Sequence, residues 1–319
     1  MDAQFWQCVR RKPVVPGDAT VNVSHSKVMG KLVMGIAVML LAGLSLGAQS
    51  ATWSITYPRS LDDTDLRNEY PVALLTLALE KTGVKYRLLP SDRIMLQGKA
   101  LRQLRENREV NVVWSMTDSQ RERDLLPIRI PIAKGLIGWR VFLVTEQKLP
   151  RFSMITRKSD LLTLAPIQGE EWPDTKILQA NGFNVFTVPT YQEAFSVLAS
   201  NRGDFFPRSV IEVFQEMKTQ NLAREIILEQ DLALYYPTAM YFFVNKGNQV
   251  MARLLETGLR RAIEDGSFDA LFFASYEETL KQLALDKRKV FVLENPLLPE
   301  RTPLQDTQLW YQPSQNLLQ

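Results

Sequence analysis

Arg121 ends the stretch Trp114-Ser-Met-Thr-Asp-Ser-Gln-Arg121, in which small polar residues turn the chain just after an apolar run. A guanidinium fixed at such a point can grip a carboxylate through two parallel hydrogen bonds, and Ser115 and Thr117 would add hydroxyl or backbone donors. The chain then continues through Glu122, Arg123 and Asp124. On residues alone, a solvated surface charge run is the stronger reading of this stretch. Tyr57 and Trp114 end short β-type runs, where an aromatic ring would cover the apolar part of a small ligand. Core packing is an equal reading for Trp114. Arg59 follows in Tyr57-Pro58-Arg59 and is a second candidate anion contact.

Further along, Gln168-Gly-Glu-Glu-Trp-Pro-Asp-Thr175 runs from a strand into a helix. Gly169 allows close backbone approach, Pro173 suits a first helical turn, and free helix N-terminal amides favour an anion. Trp172 is a candidate wall residue. Asp174 and Thr175 fit a simple capping role at least as well as ligand contact. Arg208 and Ser209 follow Asp204-Phe-Phe-Pro207; Arg208 is either a ligand contact or a helical i,i+4 partner of Glu212.

The chemistry that the chain excludes is as informative. It has one cysteine and one histidine, Cys8 and His25, and both precede the apolar run Leu32–Ala48. Lys27 and Lys31 flank that run, and the small residues Ala48, Ser50 and Ala51 follow it, the pattern of a cleaved secretion signal. Residues 1–51 are therefore expected to be a signal peptide with an N-terminal extension, cut between Ala48 and Thr52 for export to the periplasm. The exported chain would have no thiolate, no imidazole base and no zinc site built from Cys or His; no cofactor is expected. The leader holds five of the 38 basic and two of the 35 acidic residues. The remainder is thus neutral, which removes the charge argument for nucleic-acid binding.

Positioning these residues falls to an α/β chain. Strands are expected at Thr52–Tyr57, Val84–Leu89, Val110–Trp114 and Gly138–Thr145, with helices at Leu66–Thr82 and Lys99–Asn107 between them. The pattern restarts with strands at Leu162–Ile167, Asn184–Val188 and Asp204–Phe206 and helices at Pro173–Asn181 and Tyr191–Ser200. Such βαβ order implies ligands at the carboxyl ends of the strands. An amphipathic helix spans Leu254–Ile263, and the prolines of Asn295-Pro-Leu-Leu-Pro299 and Thr302-Pro303 mark an irregular tail.

The Ser/Thr-rich turn ending in Arg121, the run Leu126-Pro-Ile-Arg-Ile-Pro131, and the apolar crossing strand Gly138-Trp-Arg-Val-Phe-Leu-Val144 resemble the type II periplasmic solute-binding proteins related to amino-acid receptors (extracellular solute-binding protein family 3). Gln168-Gly169 before a helix and Arg202-Gly-Asp-Phe-Phe-Pro-Arg208 extend the likeness. It implies a two-lobe periplasmic binding protein type II fold, with residues 52–145 and 240–319 as lobe 1, 146–239 as lobe 2, and Tyr241–Val244 as the returning hinge strand. It further implies that Tyr57, Arg59, Trp114, Ser115, Thr117, Arg121, Gly169, Trp172 and Arg208 line the cleft, with Arg123 the substitute should the turn be one residue too long. The family's usual acid near Ser209 is replaced here, so an anionic ligand held between Arg121 and Arg208 is expected. Its implied partners are a small molecule and a membrane transporter or sensor, with the chain acting as a monomer. An enzyme on the same scaffold, a dehydratase or lyase using Glu170, Glu171 or Glu212, is the alternative.

Overall fold

Alternating and continuous apolar runs fold, in a computed structural model that describes residues 51–60, 66–219 and 225–313, into twelve strands and ten α-helices among those residues. The leader expected over residues 1–51 lies outside the described residues, apart from Ala51. In chain order the first elements are β1 (Trp53–Arg59), α1 (Glu69–Thr82), β2 (Tyr86–Ile94), α2 (Gln97–Arg105), β3 (Val112–Met116), α3 (Ser119–Asp124) and β4 (Leu126–Ile128). Next come β5 (Trp139–Thr145), α4 (Leu149–Ser153), α5 (Lys158–Leu161), β6 (Ile167–Gly169), α6 (Pro173–Ala180), β7 (Phe186–Val188), α7 (Tyr191–Ala199), β8 (Phe206–Ser209) and α8 (Val213–Thr219). The chain ends with β9 (Ile226–Leu228), β10 (Leu232–Tyr235), β11 (Met240–Val244), α9 (Gln249–Glu264), α10 (Ser267–Leu283) and β12 (Lys289–Val292). Among the described residues no helix is long and apolar enough to cross a membrane.

Two groups of strands result. In the first, β1 pairs β2 in parallel, and β11 lies antiparallel between β3 and β4. Helix α1 turns its buried face, Leu74, Leu75, Ala78 and Leu79, toward this core and stops at Gly83, whose left-handed φ of 71° suits a glycine C-cap. Helix α9 approaches α1 closely, because Gly258 lies directly on the Ala78 carbonyl and leaves no room for a Cβ.

The second group is centred on β5, which pairs β8, β9 and β10, with β12 added parallel beyond β10. All seven residues of β5 are buried, Arg140 and Thr145 among them, because both faces of the strand are covered. Alternation along it divides the core: Trp139, Val141 and Leu143 pack into one apolar cluster with Phe195 and Leu198, while Phe142 and Val144 face Phe152, Leu161, Ile177 and Leu178.

This topology corrects the expected partition twice. Strand β5, assigned to the end of lobe 1, belongs to the larger sheet, so the first crossover falls in residues 129–138. The tail also does not stay on the first lobe, since β12 forms the edge of the larger sheet. The strand expected at Leu162–Ile167 begins only at its last residue, as β6, because residues before it complete the turn after α5 and Pro166 makes only an isolated bridge to Phe205. The strand expected at Asp204–Phe206 begins two residues later.

Asp204 instead serves as a staple. Its carboxylate accepts the Ala165 N–H at 2.7 Å and pairs with Lys148 at 2.9 Å and Arg151 at 3.2 Å. Burial alone would raise its pKa; the Ala165 amide and Lys148, with Arg151, more than offset that and hold it below the usual carboxylate value. A depressed carboxylate contributes stability above its unfolded pKa of about 3.9 and loses it as pH falls through the folded value. Asp204→Asn should therefore lower the melting temperature at pH 7, and the gap from wild type should close below about pH 4. Melting curves from pH 7 to pH 3 check this; a gap independent of pH would contradict it.

Candidate functional site

Where the two strand groups face each other, β3, the loop after β6 and the starts of α2 and α7 enclose a cleft of about 270 Å³. Seven of the nine expected residues line it: Arg59, Trp114, Ser115, Arg121, Gly169, Trp172 and Arg208. Tyr57 and Thr117 do not. Tyr57 packs its ring on Trp114 at 5.8 Å, so the indole is the ring that reaches the cleft. Thr117 is buried, its hydroxyl donating to Glu122 at 2.9 Å and its amide to the Ala239 carbonyl at 2.8 Å. Trp114 fulfils both readings, lining the cleft and meeting Phe242 edge-on at 6.2 Å.

Arg121 points inward and Arg123 outward. Asp118 caps α3 by accepting the Arg121 amide at 2.7 Å, which fixes the backbone from which the guanidinium projects. Nη1 donates to Ser115 Oγ at 2.8 Å and the Met116 carbonyl at 2.6 Å, Nη2 donates to Gln97 Oε1 at 3.1 Å, and Nε lies 3.3 Å from Asp118. Burial lowers its pKa against the pull of Asp118, Asp174 and Glu171. Most of the fork is thus spent on the protein, and Nη2 retains the spare donor. Arg123 is exposed and donates to Gln120.

The second wall is built on Gly169. The Trp172 indole lies over that backbone where a Cβ would collide, and it stacks on Phe206 at an interplanar angle of 14°. Arg208 is sandwiched against these rings, 4.7 Å from Phe206 and 5.2 Å from Trp172. The ion pair with Glu212 weighed from the sequence is present at 3.0 Å, but it runs from strand β8 to the turn before α8 and not along a helix, and Glu216 in α8 accepts from both Nε and Nη2. Burial disfavours the charge of Arg208, but Glu216 and Glu212 raise its pKa above the ordinary value. Two carboxylates already compensate this arginine, so it offers little free charge to an anion.

Arg140 is the residue that sequence reasoning missed. Its side chain leaves β5 on the Phe142 face and pairs with Asp174 at 2.6 Å; Asp174 in turn accepts from the Tyr236 hydroxyl. Burial opposes its charge, while Asp174, Tyr236 and Glu212 raise its pKa. A signal was available: a single arginine inside the apolar strand Trp139–Thr145 must find a buried partner. Asp174 therefore anchors Arg140, a role beyond the capping read from its position.

Contacts also span the cleft. The guanidinium of Arg67, beside α1, lies 4.6 Å from the Tyr191 ring at the start of α7. Glu171 reaches the first turn of α2, where its carboxylate fills the space a Cβ on Gly98 would need. A carboxylate at that helix end is electrostatically favoured. In all, Arg59, Arg67, Arg121, Arg140 and Arg208 line the cleft against Glu170, Glu171, Asp174 and Glu212. The lining is mixed in charge, with a small basic excess.

No protein-family profile matches the chain, and no curated protein matches it by sequence. Solved structures do match. The VFT2 domain of BvgS from Bordetella pertussis, in a double-mutant form, superposes with a TM-score of 0.54 at 15% identity, covering 70% of this chain and 93% of that one. An ancestral arginine-binding protein bound to glutamine gives 0.52 at 16% identity, covering 70% and 97%. A histidine kinase sensor domain with similarity to periplasmic binding proteins gives 0.50 at 15% identity, covering 71% and 96%. With β3, β4 and β11 on one side of the cleft and the β5 sheet on the other, the chain has the two-lobe α/β fold of the type II periplasmic binding proteins.

Proposed function

We propose that this chain is an exported solute-binding domain that closes on a small polar ligand bearing a carboxylate and presents the closed form to a membrane transporter or sensor. The observation that carries this reading is the inter-lobe cleft lined from both sides by Trp114, Trp172 and five arginines. The compensated state of Arg208 narrows the earlier expectation of a multiply charged anion: one anionic group, met by the spare donor of Arg121, suits the small basic excess, and Glu170 leaves room for a cationic group on the same ligand. Bending at residues 129–138 and 236–239 would close the cleft, and the ligand would select the closed state by bridging both lobes.

A thermal-shift screen of carboxylates, amino acids, polyamines and sugars tests the ligand class. A ligand bound by the folded state alone at 100 times its Kd stabilises by about 2.7 kcal/mol, which moves the melting temperature by several degrees. The expected result is a shift with a carboxylate-bearing compound and none with its amide or ester. A shift with polyamines or sugars alone would contradict the proposed ligand.

A further inference from the structure

The C-terminal segment is bound to both lobes and to both connections between them. After α10, Arg288 is buried and donates to the carbonyls of Leu283, Glu229 and Leu232 at 2.7–3.1 Å, which stitches the chain to the second lobe. Strand β12 then pairs β10, and the Leu293 amide donates to the Tyr235 carbonyl. From there the chain returns. Asn295 Nδ2 donates to the Pro237 carbonyl at 2.9 Å in the second crossover, and the Ser119 amide donates to the Leu297 carbonyl at 3.1 Å, at the start of the helix that carries Arg121.

The first crossover is gripped next. Lys134 Nζ donates to the Gln308 carbonyl at 2.7 Å and pairs with Asp269 at 2.8 Å, while the Tyr311 amide donates to the Lys134 carbonyl. The indole of Trp310, held by its own bond to the Pro303 carbonyl, lies on Gly135, whose φ of 74° and lack of side chain permit the contact. Bending about the two crossovers moves Lys134, Gly135 and Pro237 relative to one another, and one covalent segment holds all three.

We propose that residues 284–313 form a strap that restrains opening of the cleft, so that the resting position of the lobes is set by the strap as well as by the ligand. Wide opening then requires the Asn295, Lys134 or Trp310 contacts to break, and ligand occupancy is transmitted to the C-terminal segment as a change in its seating. This inference rests on the two-lobe fold and not on the ligand assignment, and its test needs no ligand.

Pulsed electron spin resonance on the full chain, with Cys8→Ser and spin labels on Lys85→Cys and Lys176→Cys, reads the inter-lobe distance; Lys85 and Lys176 are exposed. Trp310→Ala and Lys134→Met each remove one grip. The population at longer distance should rise about five-fold in each, the change expected from loss of an ordinary net contact. Lys134→Met leaves the apolar packing of Trp310 in place and decides the matter if Trp310→Ala fails to melt cooperatively. Distance distributions in Lys134→Met and a folded Trp310→Ala that superpose on that of the parent would overturn the strap.

Discussion

Arg208→Met is expected to be the most destabilising single substitution in the cleft, costing about 3–5 kcal/mol, the usual penalty for stranding one member of a buried ion pair. The reason is Glu216. Its side chain is 2% exposed and its two carboxylate oxygens accept from Arg208, so the substitution leaves a buried carboxylate without a counter-charge. The double substitution Arg208→Met with Glu216→Leu should recover most of the loss, since replacing a whole buried pair with apolar residues is often neutral or stabilising. Urea denaturation of the single and double variants measures both. Equal destabilisation by the two would show that packing against Trp172 and Phe206, rather than the ion pair, is what Arg208 supplies.

Arg121→Ala should weaken ligand binding by about 2–5 kcal/mol, the cost of truncating one partner of a desolvated charge pair. Arg121→Lys should rescue little. A single ammonium cannot reach Ser115, the Met116 carbonyl and Gln97 while also presenting a donor to the cleft. Calorimetric titration with the compound identified by thermal shift reads the effect, and an unchanged affinity in Arg121→Ala would assign the arginine to holding β3 and α3 together.

The inward direction of Arg121 was not legible from its neighbours, which read more strongly as a solvated charge run; the resemblance pointed to it, and the contacts with Ser115, the Met116 carbonyl and Gln97 that hold it form only in the folded chain. Gly169 and Trp172 were legible for a local reason, since Gly-Glu-Glu-Trp-Pro reads as a strand-to-helix loop with one residue that tolerates close approach. The partners of the buried arginines were not. Arg140 meets Asp174 across 34 positions, and the second acid on Arg208 lies in the helix that follows the strand carrying Arg208, so pairing depends on how the elements dock. Tyr57 and Trp114 show the same limit on a smaller scale: the sequence reads both as strand ends, whereas both lie inside their strands, and only the packing of β1 beside β3 decides which ring faces the cleft. The tail's prolines announced irregular structure, yet its contacts with Pro237 and Lys134 come from long-range docking that no local pattern encodes.

The central claim is that a ligand is held between the lobes, touching both. Amide hydrogen exchange with and without the ligand tests this most directly, because a bridging ligand must protect segments distant in sequence together. The account predicts slowed exchange at once in Gln97–Arg105 and Ser115–Asp124 of the first lobe and in Gly169–Ala180 of the second. Protection confined to one lobe, or lying away from these three segments, would contradict it.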